Sequence, residues 1–456
     1  MSIPQSGGGP IEHHDQLAEY MAAGCKPKED WRIGTEHEKF GYCKDTLKPI
    51  PYEGKRSIKA LLEGLRDKYN WQPVMEAGYL IGLEKDGANV SLEPGGQLEL
   101  SGAPLESIHQ TCDEVNVHLR EVKDISDALG MKFFGMGAAP EWTADDMPMM
   151  PKGRYKLMTP YMGEVGTHGT QMMYRTTTIQ VNLDFASEAD MAQKLRVGLA
   201  LQPFATALFA NSPFFEGKLT GYQSWRARIW QDTDRARTGM LPFVFESGFG
   251  FEAWVQYALD VPMYFVYRDG QYINALGMSF RDFLKGELPA LPGEKPTLSD
   301  WADHLTTAFP EARIKQYLEM RGADGGPWRK ICALPAFWVG LLYDQSSLDA
   351  AWDIAKGWTA DEREQLRLDV AKDGLQARIN GIEVLDIAKE LVSISHAGLK
   401  ARAMPGAGGL IPDETHFLNA LQEILGRGYS PAKKLERLYN CEWGGDIKRV
   451  YQEYSY

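Results

Sequence analysis

Glutamates 36 and 38 stand two positions apart in Trp31-Arg32-Ile33-Gly34-Thr35-Glu36-His37-Glu38-Lys39-Phe40-Gly41. The stretch is rich in β-formers and carries glycines near its ends, which predicts a strand. On a strand the two carboxylates share one face about 7 Å apart, while Ile33 and His37 point the other way. Such a pair repels and resists burial unless an Arg, a Lys or a divalent cation that takes oxygen ligands stands beside it. A solvent-exposed edge strand is the plain alternative.

Three more stretches repeat the theme. In Ser91-Leu92-Glu93-Pro94-Gly95-Gly96-Gln97-Leu98-Glu99-Leu100-Ser101 the Pro-Gly-Gly turns the chain. Gln97, Glu99 and Ser101 then share a strand face opposite Leu98 and Leu100, with Glu93 just before the turn. From Arg175 to Asp184, Thr176, Thr178, Gln180, Asn182 and Asp184 oppose Thr177, Ile179, Val181 and Leu183. A polar row like this is costly to bury without partners, so it faces solvent or lines a polar cavity. In Tyr317-Leu318-Glu319-Met320-Arg321-Gly322, Glu319 and Arg321 share a face. A concave sheet carrying these groups could bind two or three Mg²⁺ ions together with nucleotide phosphates. No Walker-type Gly-rich loop occurs, but this architecture holds phosphate through metal and Arg.

Two basic stretches could serve anions. Met147 to Tyr161 is Pro/Gly-punctuated, carries Lys152, Arg154 and Lys156, and reads as a loop, either solvated or gripping phosphate oxygens. Ser224 to Gly239 interleaves Arg226, Arg228, Arg235 and Arg237 with Trp225 and Trp230. Guanidinium forks grip carboxylates and phosphates, although Asp232 and Asp234 are alternative partners.

The elements that must hold these groups follow from periodicity. Helices are expected at Leu17–Ala23, Lys55–Tyr69, Leu105–Leu129 and from Ser187 to Phe209. Strands are expected at Trp71–Val74, Tyr79–Lys85, Asn89–Glu93, Lys132–Met136 and an aromatic Val261–Tyr267. Cys112 falls on the apolar stripe of its helix, so it reads as a core residue. From about residue 331 the chain is helical. Its 456 residues, 44% hydrophobic and 24% charged, suffice for a folded domain. We expect a flexible tail at 1–15 and one catalytic domain over 16–456. The net charge of -13 argues against a general nucleic-acid or anionic-membrane surface. Five scattered cysteines without a Cys-x-x-Cys pair indicate neither a zinc site nor a disulfide scaffold. No run of about 18 apolar residues spans a membrane. Met1 to Pro10 resembles neither a signal nor a transit peptide, which points to a bacterial-type, cytoplasmic protein.

Ile33–Gly41, Leu92–Gly102, Met150–Tyr155, Ile179–Phe185 and Tyr317–Ala333 resemble, in order, the motifs of glutamate–cysteine ligases of the plant and proteobacterial type. The resemblance runs from about Trp31 to the C-terminus. It implies an α+β fold, a glutamine-synthetase-like cup of mainly antiparallel sheet surrounded by helices. It also implies that ATP drives the joining of the glutamate γ-carboxylate to cysteine through a γ-glutamyl phosphate. On motif position, Glu36, Glu38, Glu93, Glu99 and Glu319 would ligate Mg²⁺, with Gln180 beside them. Glu36, Glu38, Glu99 and Arg321 would carry the catalysis. Arg321, Lys39 and Lys152 would contact ATP, Arg226 and Arg154 the glutamate, and Tyr264 and Trp230 would wall the amine pocket. Feedback inhibition by glutathione and a monomer or homodimer are further expectations. Plant members carry two redox-linked cysteine pairs. Cys112 and Cys332 stand where one pair would be, as a candidate disulfide, whereas Ala275 and Ala290 take the other positions, so no plant-like thiol switch is expected. The rival readings are a γ-glutamyl ligase for another amine, a catalytically silent Mg²⁺/nucleotide-binding protein and a metal-dependent hydrolase. The last usually wants His ligands, and no His-x-x-x-His occurs near the motifs.

Overall fold

A computed structural model describes residues 7–456 of the chain. Nine strands pair throughout as one antiparallel sheet: β1 (Ile33–Cys43), β2 (Gln72–Glu76), β3 (Tyr79–Lys85), β4 (Ala88–Leu92), β5 (Leu98–Ser101), β6 (Met131–Phe134), β7 (Thr178–Leu183), β8 (Ala312–Ile314) and β9 (Leu318–Asp324). Their order is β8-β9-β7-β1-β5-β4-β3-β2, and β6 extends the sheet along the C-terminal half of β1. The strand carrying Glu36 and Glu38 is thus central.

Helices cover one face. The ones that matter below are α1 (Ile58–Tyr69), α2 (Ile108–Leu129), α3 (Gly153–Glu164), α4 (Glu188–Phe209), α5 (Trp225–Trp230) and α6 (Trp328–Leu342). The apolar alternates Ile33, Ile179, Val181, Leu183, Leu318 and Met320 share a core with α4 and α6. Val90, Leu92, Leu98 and Leu100 share another with α1. The approach of α4 is close: a Cβ at Gly198 would lie 2.8 Å from the terminal methyl of Met320, which would have to move aside. Cys112 of α2 and Cys332 of α6 are joined as a disulfide on this covered side.

The expected loop Met147–Tyr161 is corrected from Gly153 onward, where α3 begins. Gly153 and Pro160 made it read as irregular, yet Arg154, Tyr155, Met158 and Met162 form a buried side that packs the helix in place. The aromatic strand is Phe265–Arg268, paired with Gln271–Asn274 outside the main sheet. Of the expected tail, residues 1–6 lie outside the described residues. Ile11 is buried, and its N–H donates to Pro296 O at 2.8 Å. No described helix is long and apolar enough to cross a membrane.

Candidate active site

Register builds the floor of the cup. Glu38 lies directly opposite Glu99 across β1 and β5, Glu36 opposite Gln180 across β1 and β7, and Glu319 opposite Asn182 across β9 and β7. The turn after β4, closed by Gly96 N–H to Glu93 O at 2.9 Å, brings Glu93 to the same region. Like charges facing each other across strands are destabilising. Burial first, then Glu93 and Glu99, pushes the Glu38 carboxyl well above the usual carboxylate range. Burial, then Glu93 and Glu36, pushes Glu99 up to about 7.

Each of these four carboxylates has a neutral donor. Thr178 N–H reaches Glu38 Oε2 at 3.0 Å, and the Ser91 hydroxyl reaches Glu99 Oε2 at 2.6 Å. Asn182 Nδ2 reaches Glu36 Oε1 at 2.9 Å, and the Tyr155 hydroxyl reaches Glu93 Oε1 at 3.4 Å. Among the described residues none of the four has a cationic side chain within the 4.0 Å ion-pair limit. Nor do any three acidic, His or Cys side chains among the described residues form a ready-made metal cage.

Glu319 has the opposite surroundings. Arg313 Nη2 lies 2.5 Å, Arg321 Nη1 2.9 Å and Lys315 Nζ 3.3 Å from its oxygens. Burial opposes ionisation there, but these three cations hold Glu319 well below the usual range. Of the five carboxylates expected as metal ligands, Glu319 is thus the one that has cationic side chains beside it. The floor is therefore polarised: four carboxylates without a cationic side chain in ion-pair reach among the described residues lie beside a hairpin on which three cations exceed one carboxylate.

Two cavities open on this face. The first, about 110 Å³, is lined by Glu38, Glu93, Gln97, Gln180, Arg154, Arg226 and Arg321, with Met158, Met172, Trp230 and Phe309 among its apolar walls. Arg226 projects from α5, and its Nη2 donates to Arg321 O at 2.8 Å while its buried Nε has no partner. Arg154 lies 5.4 Å from the Phe265 ring centre and also keeps a buried, unpartnered Nε. Arg321 Nη1 donates to Gln180 Oε1 at 2.6 Å. The second cavity, about 270 Å³, is lined by Gly34, Glu36, Asn89, Ser101, Asn182 and Tyr317, with Lys26 and Arg32. The buried atoms Asn89 Oδ1, Ser101 Oγ and Asn182 Oδ1 of its lining have no hydrogen-bond partner. Unpartnered buried polar atoms are rare in folded proteins and mark a site where a ligand's polar groups fit.

Several expected contacts fall elsewhere. Lys39 belongs to the odd-numbered, helix-covered face of β1. There its Nζ lies 3.4 Å from His37 Nε2 and 3.3 Å from Leu98 O, and burial lowers it to about 7. Lys152 is buried, donates to Leu92 O at 2.9 Å and lines neither cavity; burial lowers it to about 8. Neither lines the two cavities. Tyr264 is buried and does not line the first cavity. Arg237 sits 3.9 Å from its ring centre, Tyr161 packs edge-on, and its hydroxyl donates to Met162 Sδ. The Arg cluster divides: Arg226 turns to the cavity, whereas Arg237 pairs with Asp234 at 2.6 Å. Sequence reasoning missed Arg313 and Lys315. Their alternation with Glu319 and Arg321 along one hairpin was the available signal. It also missed Asn89 as a lining residue, as well as Met158, Met172 and Phe309.

Residues 32–453 match the model of glutamate–cysteine ligase family 2 (GCS2). Over 447 residues the chain is 54% identical to the chloroplastic glutamate–cysteine ligase B of Oryza sativa subsp. japonica, covering 98% of this chain and 88% of that one. It is 54% identical over the same length to the chloroplastic glutamate–cysteine ligase of Arabidopsis thaliana, covering 98% and 83%. Among solved structures, glutamate–cysteine ligase of Francisella tularensis in complex with AMP shares the fold, with a TM-score of 0.55 at 14% identity over 93% of this chain and 89% of that one. The curated relatives are named chloroplastic, which overturns the expectation of a cytoplasmic protein. The composition of the first ten residues was no guide to location.

Proposed function

This chain belongs to glutamate–cysteine ligase family 2, and we propose that the polarised face of its sheet is where ATP, glutamate and cysteine meet. The enzyme forms γ-glutamylcysteine from glutamate and cysteine at the expense of ATP, the first step of glutathione synthesis. In our reading glutamate and cysteine occupy the first cavity, the nucleoside part of ATP the second, and the phosphates the floor between them.

The observation that carries this reading is the charge pattern. Four carboxylates, Glu36 and Glu99 buried and Glu38 and Glu93 half-buried, have no cationic side chain in ion-pair reach among the described residues and lie beside a cationic hairpin, bordering the two cavities. Mg²⁺ fits the acidic half, held by Glu36, Glu38, Glu93 and Glu99 as two or three ions. It takes few protein carboxylates and completes its shell with water and phosphate oxygens, so the lack of a closed protein cage suits it. When bound, Mg²⁺ neutralises this floor and the charge that develops on the transferring phosphoryl group. Glu319 keeps Arg313, Lys315 and Arg321 gathered, and Arg321 presents its guanidinium to phosphate.

Arg226 and Arg154 are the cations for glutamate's α-carboxylate, and in gripping it they aim the γ-carboxylate at the γ-phosphorus of ATP. The resulting γ-glutamyl phosphate is attacked by the cysteine amine, and phosphate leaves. Met158, Met172, Trp230 and Phe309 offer a soft, apolar wall to the thiol side chain. Glutathione carries both the γ-glutamyl and the cysteinyl part, so it would compete for this cavity.

The test is ADP release with Mg-ATP and glutamate, with and without cysteine, followed by mass analysis of the product. Cysteine-dependent release and γ-glutamylcysteine are expected. Arg226→Ala should raise the glutamate KM at least about tenfold with the ATP KM within about threefold, as for loss of a charged anchor. An unchanged glutamate KM removes Arg226 from the clamp. Preference for another amine would move the substrate and leave the phosphoryl chemistry in place.

A further inference from the structure

The buried carboxylate of Asp324, at the end of β9, takes no part in the chemistry above. It is 1% exposed and accepts three hydrogen bonds. Asn211 N–H at 2.8 Å and the Ser212 hydroxyl at 2.6 Å reach Oδ2, and the Ser224 hydroxyl at 2.6 Å reaches Oδ1. The two hydroxyls pass the constraint on. Ser212 Oγ accepts the Arg226 backbone N–H at 3.2 Å, and Ser224 Oγ caps α5 by accepting Ala227 N–H at 3.0 Å. A parallel bridge between Ser212 and Ser224 closes the unit.

Helix α5 has six residues and carries both Arg226 and Trp230. A helix this short does not hold itself, so its start is set by what it is tied to. Among the described residues the Arg226 side chain has one hydrogen bond, to Arg321 O, which leaves the guanidinium dependent on its backbone for aim. Asp324 also stands opposite Thr178, the residue whose N–H holds Glu38. One carboxylate thus joins the sheet floor to the helix that carries the clamp. The space around it is closed, since a Cβ on Gly137 would lie 2.3 Å from Asp324 Cγ.

We propose that Asp324 is a positioning residue for glutamate recognition: through Ser212 and Ser224 it fixes the start of α5 and so the aim of Arg226. The inference rests on the reading of Arg226 as the glutamate clamp. Displacing a substrate-orienting group by about 1 Å is enough to cost about a hundredfold. Asn in place of Asp keeps the shape but turns one acceptor oxygen into a donor facing hydroxyl or N–H.

The experiment is steady-state kinetics of purified Asp324→Asn, Ser224→Ala, Arg226→Ala and the Asp324→Asn/Arg226→Ala double variant, each checked by thermal melting. Asp324→Asn is expected to raise the glutamate KM at least about tenfold, with kcat and the ATP KM within about threefold, in line with a lost charged hydrogen bond. Ser224→Ala should move the same constant in the same direction by less. Once Arg226 is gone, Asp324→Asn should add almost nothing to the glutamate KM, because both act through one guanidinium. A merely structural residue would lower kcat, leave every KM alone and combine multiplicatively with Arg226→Ala; that result overturns the proposal. If Asp324→Asn does not fold, an unchanged glutamate KM in folded Ser224→Ala overturns it equally. If Arg226→Ala itself leaves that KM unchanged, the clamp reading fails and takes this inference with it. A normal KM in Asp324→Asn beside a raised one in Arg226→Ala strikes this inference alone.

Discussion

Replacing Glu99 by Gln should make the protein more stable and much less active, and the stabilisation should depend on pH. Glu99 is 4% exposed and lies opposite Glu38. Burial, then Glu93 and Glu36, raise it from 4.5 to about 7 in the folded protein. For an acid shifted upward, the unfolded chain loses its proton first, so stability falls as pH climbs from about 4.5 and the full penalty is present above about 7. Each tenfold in proton affinity is about 1.4 kcal/mol, which makes that penalty about 3 kcal/mol. The bond from Ser91 is already part of that shift, so Gln, which resembles the protonated acid, should gain about 3 kcal/mol at pH 8 and almost nothing at pH 4.5. For a chain of this length the entropy of unfolding is about 1 kcal/mol per kelvin, so the melting temperature should rise about 3 °C at pH 8. Turnover should fall about a hundredfold or more, the scale for removing a group that stabilises transition-state charge. The assay pairs thermal melts in Mg²⁺-free buffer at pH 4.5 and 8 with ADP release. A variant that melts below the parent at pH 8, or that shifts equally at both pH values, refutes the argument that Glu99 is an uncompensated buried charge.

Other perturbations separate the parts of the site. Glu319→Gln leaves Arg313 and Lys315 buried without their counter-charge, so it should destabilise by about 3 to 5 kcal/mol, the cost of breaking a buried pair. Equal denaturation midpoints for variant and parent would contradict that. Tyr264→Phe removes only a hydroxyl directed at Met162 Sδ, and the cysteine KM should stay within about twofold; a tenfold rise would return Tyr264 to the pocket wall. Reduction of Cys112–Cys332, which closes a loop of 220 residues, should lower stability by up to about 5 kcal/mol in a reversible denaturant titration with dithiothreitol, with elution from a sizing column unchanged. An unmoved midpoint would show that the bridge does not constrain the unfolded chain.

Much of the floor was legible from alternation alone. Side chains two apart on a strand share a face whatever lies beyond it, so Glu36 with Glu38, Gln97 with Glu99 and Glu319 with Arg321 could be grouped before any fold was known. The same rule puts Lys39 on the face of His37, and the two side chains meet there at 3.4 Å. Where local rules compete, the sequence misleads. Gly153 and Pro160 weaken a helix by propensity, and only packing of Tyr155, Met158 and Met162 against the core overrides them.

What the chain by itself determined was the fold class, the family and which groups share a sheet face, because these rest on short-range periodicity and on motifs in order. Which carboxylate keeps a counter-charge was decided by tertiary structure. The pairing of β8 with β9 brings Arg313 and Lys315 to Glu319, while among the described residues Glu36, Glu38, Glu93 and Glu99 have no ion-paired cation. The bridge between Cys112 and Cys332, the burial of Tyr264 and the tie from Asp324 to α5 were decided in the same way. Each depends on strand register and helix packing between residues far apart in the chain, and a buried charge's partner is set by those distances rather than by its neighbours in sequence.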